Sequence, residues 1–175
     1  MKKPPFDPAI FERELEIGRA HEVLVGNALR AHKIKCTFRT EALDEEDASL
    51  TYEQRREKYR NEKDIVLENG DIIEVKSRNL DFDDDPLSFP YPTVFVETIS
   101  SWKGHDPTPL AVVNISQITG DMLVIMGYDE PNWEMEKKFD RVRGIYDTWY
   151  MADKEQLETF DFLVEYIKAN AKKKK

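Results

Sequence analysis

Cysteine is almost missing from this chain. Cys36 is the only one in 175 residues, so no internal disulfide is available, and three histidines (His21, His32, His105) beside it do not supply a Cys/His zinc cage. A metal site here is expected to be built from carboxylates. Long hydrophobic runs are also lacking: none approaches the roughly 20 residues that span a bilayer, and the opening Met1-Lys2-Lys3-Pro4-Pro5 leads into charged sequence rather than the apolar segment of a signal peptide. The expectation is a cytoplasmic chain with no membrane partner. Positive charge is not in excess either. With 26 Lys and Arg against 35 Asp and Glu, the net charge is −9, which excludes a protein that coats nucleic acid nonspecifically by neutralising many phosphates.

What is present argues for a folded domain. Hydrophobic residues make up 40% of the chain and gather in short runs at 93–99, 110–115 and 122–126. The length suits one domain better than two. The acidity is uneven: residues 1–80 hold 15 basic and 17 acidic side chains, whereas 81–175 hold 11 and 18, so an anionic polymer would be received by the first half. The last four residues, all lysine, read as a disordered basic tail.

Apolar residues at helical spacing (Leu15, Leu24 or Val25, Ala28, Leu29) predict a helix over 11–32, and 35–40 reads as a short strand. A polar helix over 51–63 carries Arg55, Arg56, Lys58, Arg60 and Lys63, a basic cluster that also reads as an ordinary solvated face laced by glutamates. Strands are expected at 64–68, 72–77, 94–99, 110–116, 122–127 and 142–150. Asp153 and Gln156 have capping-box spacing, which predicts a final amphipathic helix opening there and running through residue 169. The acidic, proline-rich run 79–92, with Asp81, Asp83, Asp84 and Asp85, reads as a mobile loop that shields a site or gathers cations. It is not an EF-hand, because Pro86 stands where the glycine belongs.

Residues 64–76 hold the most specific pattern. Asn69-Gly70 between two alternating runs is a hairpin signal. Ile65, Leu67, Ile73 and Val75 occupy odd positions, while Asp64, Glu74 and Lys76 occupy even ones. Both sets stay on their own faces only if paired residue numbers sum to an even value, which requires a three-residue loop over 68–70 with Gly70 left-handed. Asp64 then stands opposite Glu74, with Lys76 two residues farther along the same face. Two carboxylates converging beside an ammonium suit a hard divalent cation and the phosphate it binds. The similar triplet Glu136-Lys137-Lys138 lacks an alternating apolar strand and an upstream acid.

The pattern of Asp64, nine residues, then Glu74-Val75-Lys76 resembles the PD-(D/E)xK nuclease signature, and Glu74-Val75-Lys76-Ser77-Arg78 is similar to the corresponding segment of archaeal Holliday-junction resolvases. Gly18-Arg19-Ala20-His21-Glu22, followed by Leu29 and a strand ending at Arg39, resembles their first helix and strand. The resemblance covers residues 16–78. It departs where Lys63 replaces the proline before Asp64 and where 79–92 replaces a helix.

The resemblance implies an α/β (α+β) restriction-endonuclease-like fold in a single domain over 1–171: a mixed central sheet flanked by helices, extended by C-terminal strands and a final helix. It implies a DNA endonuclease using Mg²⁺ (or Mn²⁺) held by Asp64, Glu74, the Val75 carbonyl and the helix acid Glu22, with Glu16 second in line, and with Lys76 completing the catalytic set. Arg19, Arg55, Arg56, Arg78 and Lys103 are the expected DNA contacts. Glu97 reads either as an inward acid or as a solvent-facing edge residue, and His105 as a loop histidine. Competing expectations are an inactive nuclease-like binding or assembly subunit, an acidic interaction protein and, among enzymes, a junction resolvase or exonuclease. A homodimer is expected, through the 51–63 helix or through Trp133, Tyr146, Trp149, Tyr150 and Met151, which also read as a second core layer.

Overall fold

The computed structural model describes residues 8–38, 49–51, 54, 62–140 and 144–171. The first helix, α1 (Pro8–Ala31), buries Val25 and Leu29 and leaves Leu24 outward. It closes by a paired C-terminal motif: Lys33 takes a left-handed φ of 65°, its N–H donates to the Arg30 carbonyl (2.9 Å), and the Ile34 N–H reaches back to Leu29 (3.1 Å). Ile34 and Leu29 are both core residues, so the turn that ends the helix is also packed.

A six-stranded sheet follows the order β1 (Cys36–Phe38), β2 (Ile65–Leu67), β3 (Ile72–Arg78), β5 (Ala111–Ser116), β6 (Met122–Met126) and β9 (Leu157–Thr159). β3 and β5 are parallel and the other pairs antiparallel, so the sheet is mixed and the fold is α/β. A three-stranded sheet joins β4 (Thr93–Thr98), β8 (Ile145–Asp153) and β7 (Glu134–Asp140). Two more α-helices, α2 (Ile99–Gly104) and α3 (Phe160–Ala171), and three 3₁₀ turns (Pro86–Ser88, Gly127–Asn132 and Lys154–Gln156) are also present among the described residues.

The large sheet has two buried faces. Ile65, Leu67, Ile73, Val75, Val113 and Ile115 pack with Val25 and Leu29 of α1 and Leu163 and Val164 of α3. On the other side Val112, Leu123 and Ile125 meet Val94, Val96, Trp102, Trp133 and Tyr150. β5, at the centre, is buried at every position, as a strand covered on both faces must be. The parallel β3-to-β5 connection, residues 79–110, carries β4 and α2 across this second face. That crossing brings a second set of polar residues over the even-numbered side of β3.

Several sequence expectations need correction. Residues 134–140 form a strand despite their mostly exposed, charged side chains, because β8 supplies a full ladder from Glu134–Met151 to Asp140–Ile145. The Asp153–Gln156 capping box forms, but it opens a 3₁₀ turn (Lys154–Gln156) followed by β9, and α3 starts only at Phe160. The acidic run 79–92 is pinned rather than loose: Phe82 and Phe89 are buried in the second core, and Asp83 and Asp85 accept backbone N–H bonds from Asp85 (2.8 Å) and Leu87 (2.9 Å). Of the five residues offered as a dimer surface, Trp133, Tyr150 and Met151 are core, with Trp133 edge-on to Trp102 and Tyr150, and Trp149 is half-buried; Tyr146, at 68% exposure, is the one that faces solvent. Most of the basic 51–63 segment lies outside the described residues. Among the described residues, no helix is long and apolar enough to cross a membrane.

Candidate metal centre

The β2–β3 hairpin has the expected register. Ile65 pairs with Ile73 and Val66 with Ile72, which sets Asp64 opposite Glu74. The loop is three residues long: the Gly70 N–H donates to the Leu67 carbonyl (2.8 Å), the Leu67 N–H to Asp71 (2.8 Å), and Gly70 has φ 87°. Burial of an isoleucine-sized side chain is worth about 1.5–3 kcal/mol. A slip by one residue would turn one strand over relative to the other, moving Ile73 and Val75 out of the layer under α1 and pushing Glu74 and Lys76 into it, so the packing enforces the polar array.

Asp64 continues the β2 edge beyond its last ladder pair and is anchored there: its Oδ2 accepts the Val75 N–H at 2.8 Å. Because a strand residue's N–H and C=O leave on the same side, the Val75 carbonyl faces the same edge. Glu74 is 4% exposed. Lys76 Nζ lies 3.8 Å from Glu74 Oε2 and forms a close ion pair with Glu97 Oε2. Glu97 is therefore an inward acid and not an edge residue facing solvent. The pairing of β4 with β8 shifts register between Phe95 and Thr98, a bulge spanning Glu97, and bulges re-aim side chains. The other Glu97 oxygen accepts the Thr98 N–H (2.9 Å), and Thr98 Oγ1 caps α2 by accepting from Ser101 (3.3 Å).

His105, just past α2, is not an idle loop residue. Its Nε2 lies 3.6 Å from Glu74 Oε1, with both side chains 5% exposed. Neither of those two atoms has a hydrogen-bond partner among the described residues. Glu74, Glu97 and His105 each offer a ligand atom, all within 4.8 Å of one another. A nitrogen that could serve as a ligand thus lies beside the carboxylates, where the sequence pointed to oxygen donors alone. No periodic signal in 104–109 marks it, since it reaches Glu74 only through the β3-to-β5 crossing.

The electrostatics follow from this crowding. Burial, and then repulsion from Glu74, hold the Asp64 carboxyl well above the usual range, against the pull of Lys76 and the Val75 N–H. Burial likewise raises Glu74 to about 7, with Lys76 opposing and Glu97 and Glu22 adding to the rise. Glu97 goes the other way: burial alone would raise it, but Lys76 and the Thr98 N–H bring it below its ordinary value. Burial works against the charge on Lys76, yet Glu97, Glu74 and Asp64 together push its pKa up. Burial lowers His105, leaving a neutral imidazole near neutral pH.

Glu22 is half-buried on α1 and near enough for its charge to act on Glu74, whereas Glu16 is exposed. Its neighbour His21 shares Ser77 Oγ (2.8 Å) with Gln117 (2.9 Å). Of the expected DNA contacts, Arg19 is 8% exposed. Arg78 is spent inside the protein: Nε donates to Asn114 Oδ1 (2.9 Å) and a terminal nitrogen donates to the Phe95 carbonyl, and burial lowers its pKa to about 10. Lys103 is exposed on the last turn of α2. Arg39, Arg55 and Arg56 lie outside the described residues.

Compared with protein-family profiles, curated protein sequences and solved structures, the chain gives no match.

Proposed function

We propose that this chain is a divalent-metal-dependent nuclease of the PD-(D/E)xK kind, hydrolysing DNA phosphodiester bonds as an endonuclease. One observation carries the reading: the Lys76 ammonium is set among Asp64, Glu74 and Glu97 at one edge of the hairpin, with oxygens of two strands converging on the same space. The Asp64 and Glu74 carboxyls repel each other in a space from which water is largely excluded, a crowding that a divalent cation between them would relieve. Asp64, Glu74 and the Val75 carbonyl would hold Mg²⁺ (or Mn²⁺), and Glu22 would add negative charge to that shell. When bound, the metal supplies Lewis-acid polarisation of the scissile phosphate and a more acidic water.

The chain's own residues perform the rest. Lys76, kept protonated by three carboxylates, orients the attacking water and offsets the negative charge that develops on the phosphate. It does not serve as a general base near neutral pH, because its proton is held too tightly. Glu97 positions that ammonium and carries its countercharge. Lys103 and the basic 55–63 segment are proposed to meet the phosphate backbone.

A single site of this kind cuts one strand, so symmetric cleavage of a duplex or a junction requires two copies, and a homodimer belongs to the reading. Light scattering at micromolar concentration checks it, and a 20.5 kDa monomer that only nicks would remove it. The function itself is tested by incubating purified protein with supercoiled, linear, single-stranded and four-way-junction DNA in Mg²⁺ or Mn²⁺. Cleavage of at least one substrate supports the nuclease reading, and the pattern assigns the substrate form. Binding without cleavage in either ion favours the inactive binding subunit and overturns it.

A further inference from the structure

We propose that Glu74, Glu97 and His105 form a cation site of their own, distinct from the Asp64 side of Glu74, which selects Mn²⁺ and Co²⁺ over Mg²⁺. Glu74 offers its two oxygens in different directions: Oε2 lies 3.8 Å from Lys76 Nζ, while Oε1 faces His105 Nε2 at 3.6 Å. The Oε1 and Nε2 atoms are both buried and have no hydrogen-bond partner among the described residues. With its proton on Nδ1, His105 turns a bare Nε2 lone pair toward the Glu74 oxygen, and the 3.6 Å between them, longer than a hydrogen bond, admits a cation bound to both. Glu97 supplies the third donor, with all three ligand atoms within 4.8 Å of one another. Ligands at about 2.1 Å from one ion stand at most about 4.2 Å apart, so small side-chain rotations suffice.

The donor types set the preference. Carboxylates alone suit Mg²⁺, whereas an imidazole nitrogen favours first-row transition ions and gives Co²⁺ an advantage over Mn²⁺. Mg²⁺ demands near-ideal octahedral oxygen ligation and dehydrates reluctantly, so a closed site with one nitrogen serves it poorly. Charge permits an ion there: Asp64, Glu74 and Glu97 against Lys76 leave an excess of negative charge once the carboxylates are ionised. Lys76 occupies one side of the Glu97 carboxylate, and a carboxylate's remaining lone pairs leave room for a second partner.

The test needs no DNA and therefore separates this inference from the nuclease reading. Calorimetric titration of the full chain with Mn²⁺, Co²⁺ and Mg²⁺ is compared for wild type, His105→Gln and Glu97→Gln, with circular dichroism to check folding. The expected result is a loss of Mn²⁺ and Co²⁺ affinity of about tenfold or more in both variants, with Mg²⁺ affinity in His105→Gln within about twofold of wild type. In ¹⁵N-imidazole spectra of wild type, substoichiometric Mn²⁺ should broaden His105 and spare His32, whose ring packs against Phe160. Unchanged Mn²⁺ affinity in His105→Gln, or an equal loss for all three ions, overturns the site. Mg²⁺-dependent cleavage that survives such a result would leave the nuclease reading standing, whereas His105-dependent Mn²⁺ binding by a protein that cuts no DNA would remove that reading and keep the site.

Discussion

Lys76 on β3 and Glu97 on β4 form an ion pair that ties the six-stranded sheet to the three-stranded one. Glu97 is nearly inaccessible and Lys76 only a quarter exposed, so the pair is not a solvent-screened surface contact. Breaking a buried pair from one side typically costs about 3–5 kcal/mol. Lys76→Met leaves Asp64, Glu74 and Glu97 facing one another, and protonation relieves them. The metal-free variant should therefore lose stability strongly at pH 8 and much less at pH 5. Urea unfolding in EDTA at the two pH values measures it; equal losses at both would mean that the three acids do not share one field.

The raised pKa of Glu74 makes a second pH claim with a definite sign. A carboxyl that titrates near 4.5 when unfolded and about 7 when folded binds more protons in the native state between those values, so it lowers stability as pH rises through that window. Glu74→Gln, neutral throughout, should match wild type most closely near pH 4.5 and gain on it by about 1.4 kcal/mol per pH unit up to about pH 7. Metal-free unfolding curves across pH 4.5–8 decide it. A difference that does not change with pH contradicts the raised value.

Gly127 follows β6 where the chain meets the segment that leads from His105 into β5. A Cβ built there would lie 2.1 Å from the Pro109 carbonyl oxygen, a backbone atom that cannot swing aside. Gly127→Ala should cost about 1–3 kcal/mol through overpacking, or about 2–4 °C in Tm for each kcal/mol. Because Pro109 must shift, Mn²⁺ affinity should fall with stability. An unchanged Tm would show that this approach is not tight.

Glu22 and Glu16 lie on the same helix but differ in reach. Glu22 acts on the charge of Glu74, and Glu16 is exposed. Glu22→Gln should weaken Mg²⁺ binding while Glu16→Gln leaves it unchanged, as read by calorimetry. A larger loss for Glu16→Gln reverses the assignment of the helix acid.

The hairpin was legible in the sequence because its period is local: alternation over 64–76 and Asn69-Gly70 specify register, the Gly70 conformation and the Asp64–Glu74 pairing without reference to the rest of the chain. The helix over 8–31 and the buried strands were legible for the same reason. What escaped is what depends on partners distant in sequence. Residues 134–140 carry no apolar face of their own and become a strand because β8 pairs with them. The capping box at Asp153 has a true local signal, but β6 captures residues 157–159 as a strand before the helix can begin. Glu97 and His105 approach Glu74 through the crossing from β3 to β5: Glu97 was legible as an inward acid only beside its solvent-facing alternative, because the bulge that aims it has no short-range signature, and the seat of His105 has none either.

The most direct test of the central claim is cleavage of supercoiled plasmid DNA by purified wild-type protein in Mg²⁺ or Mn²⁺, beside the same reaction in EDTA and beside Asp64→Asn and Glu74→Gln. The account predicts conversion to nicked or linear DNA with the metal, none in EDTA, and rates lower by on the order of 100-fold or more in either variant. Intact plasmid in both ions, or cleavage that persists in EDTA, would contradict it.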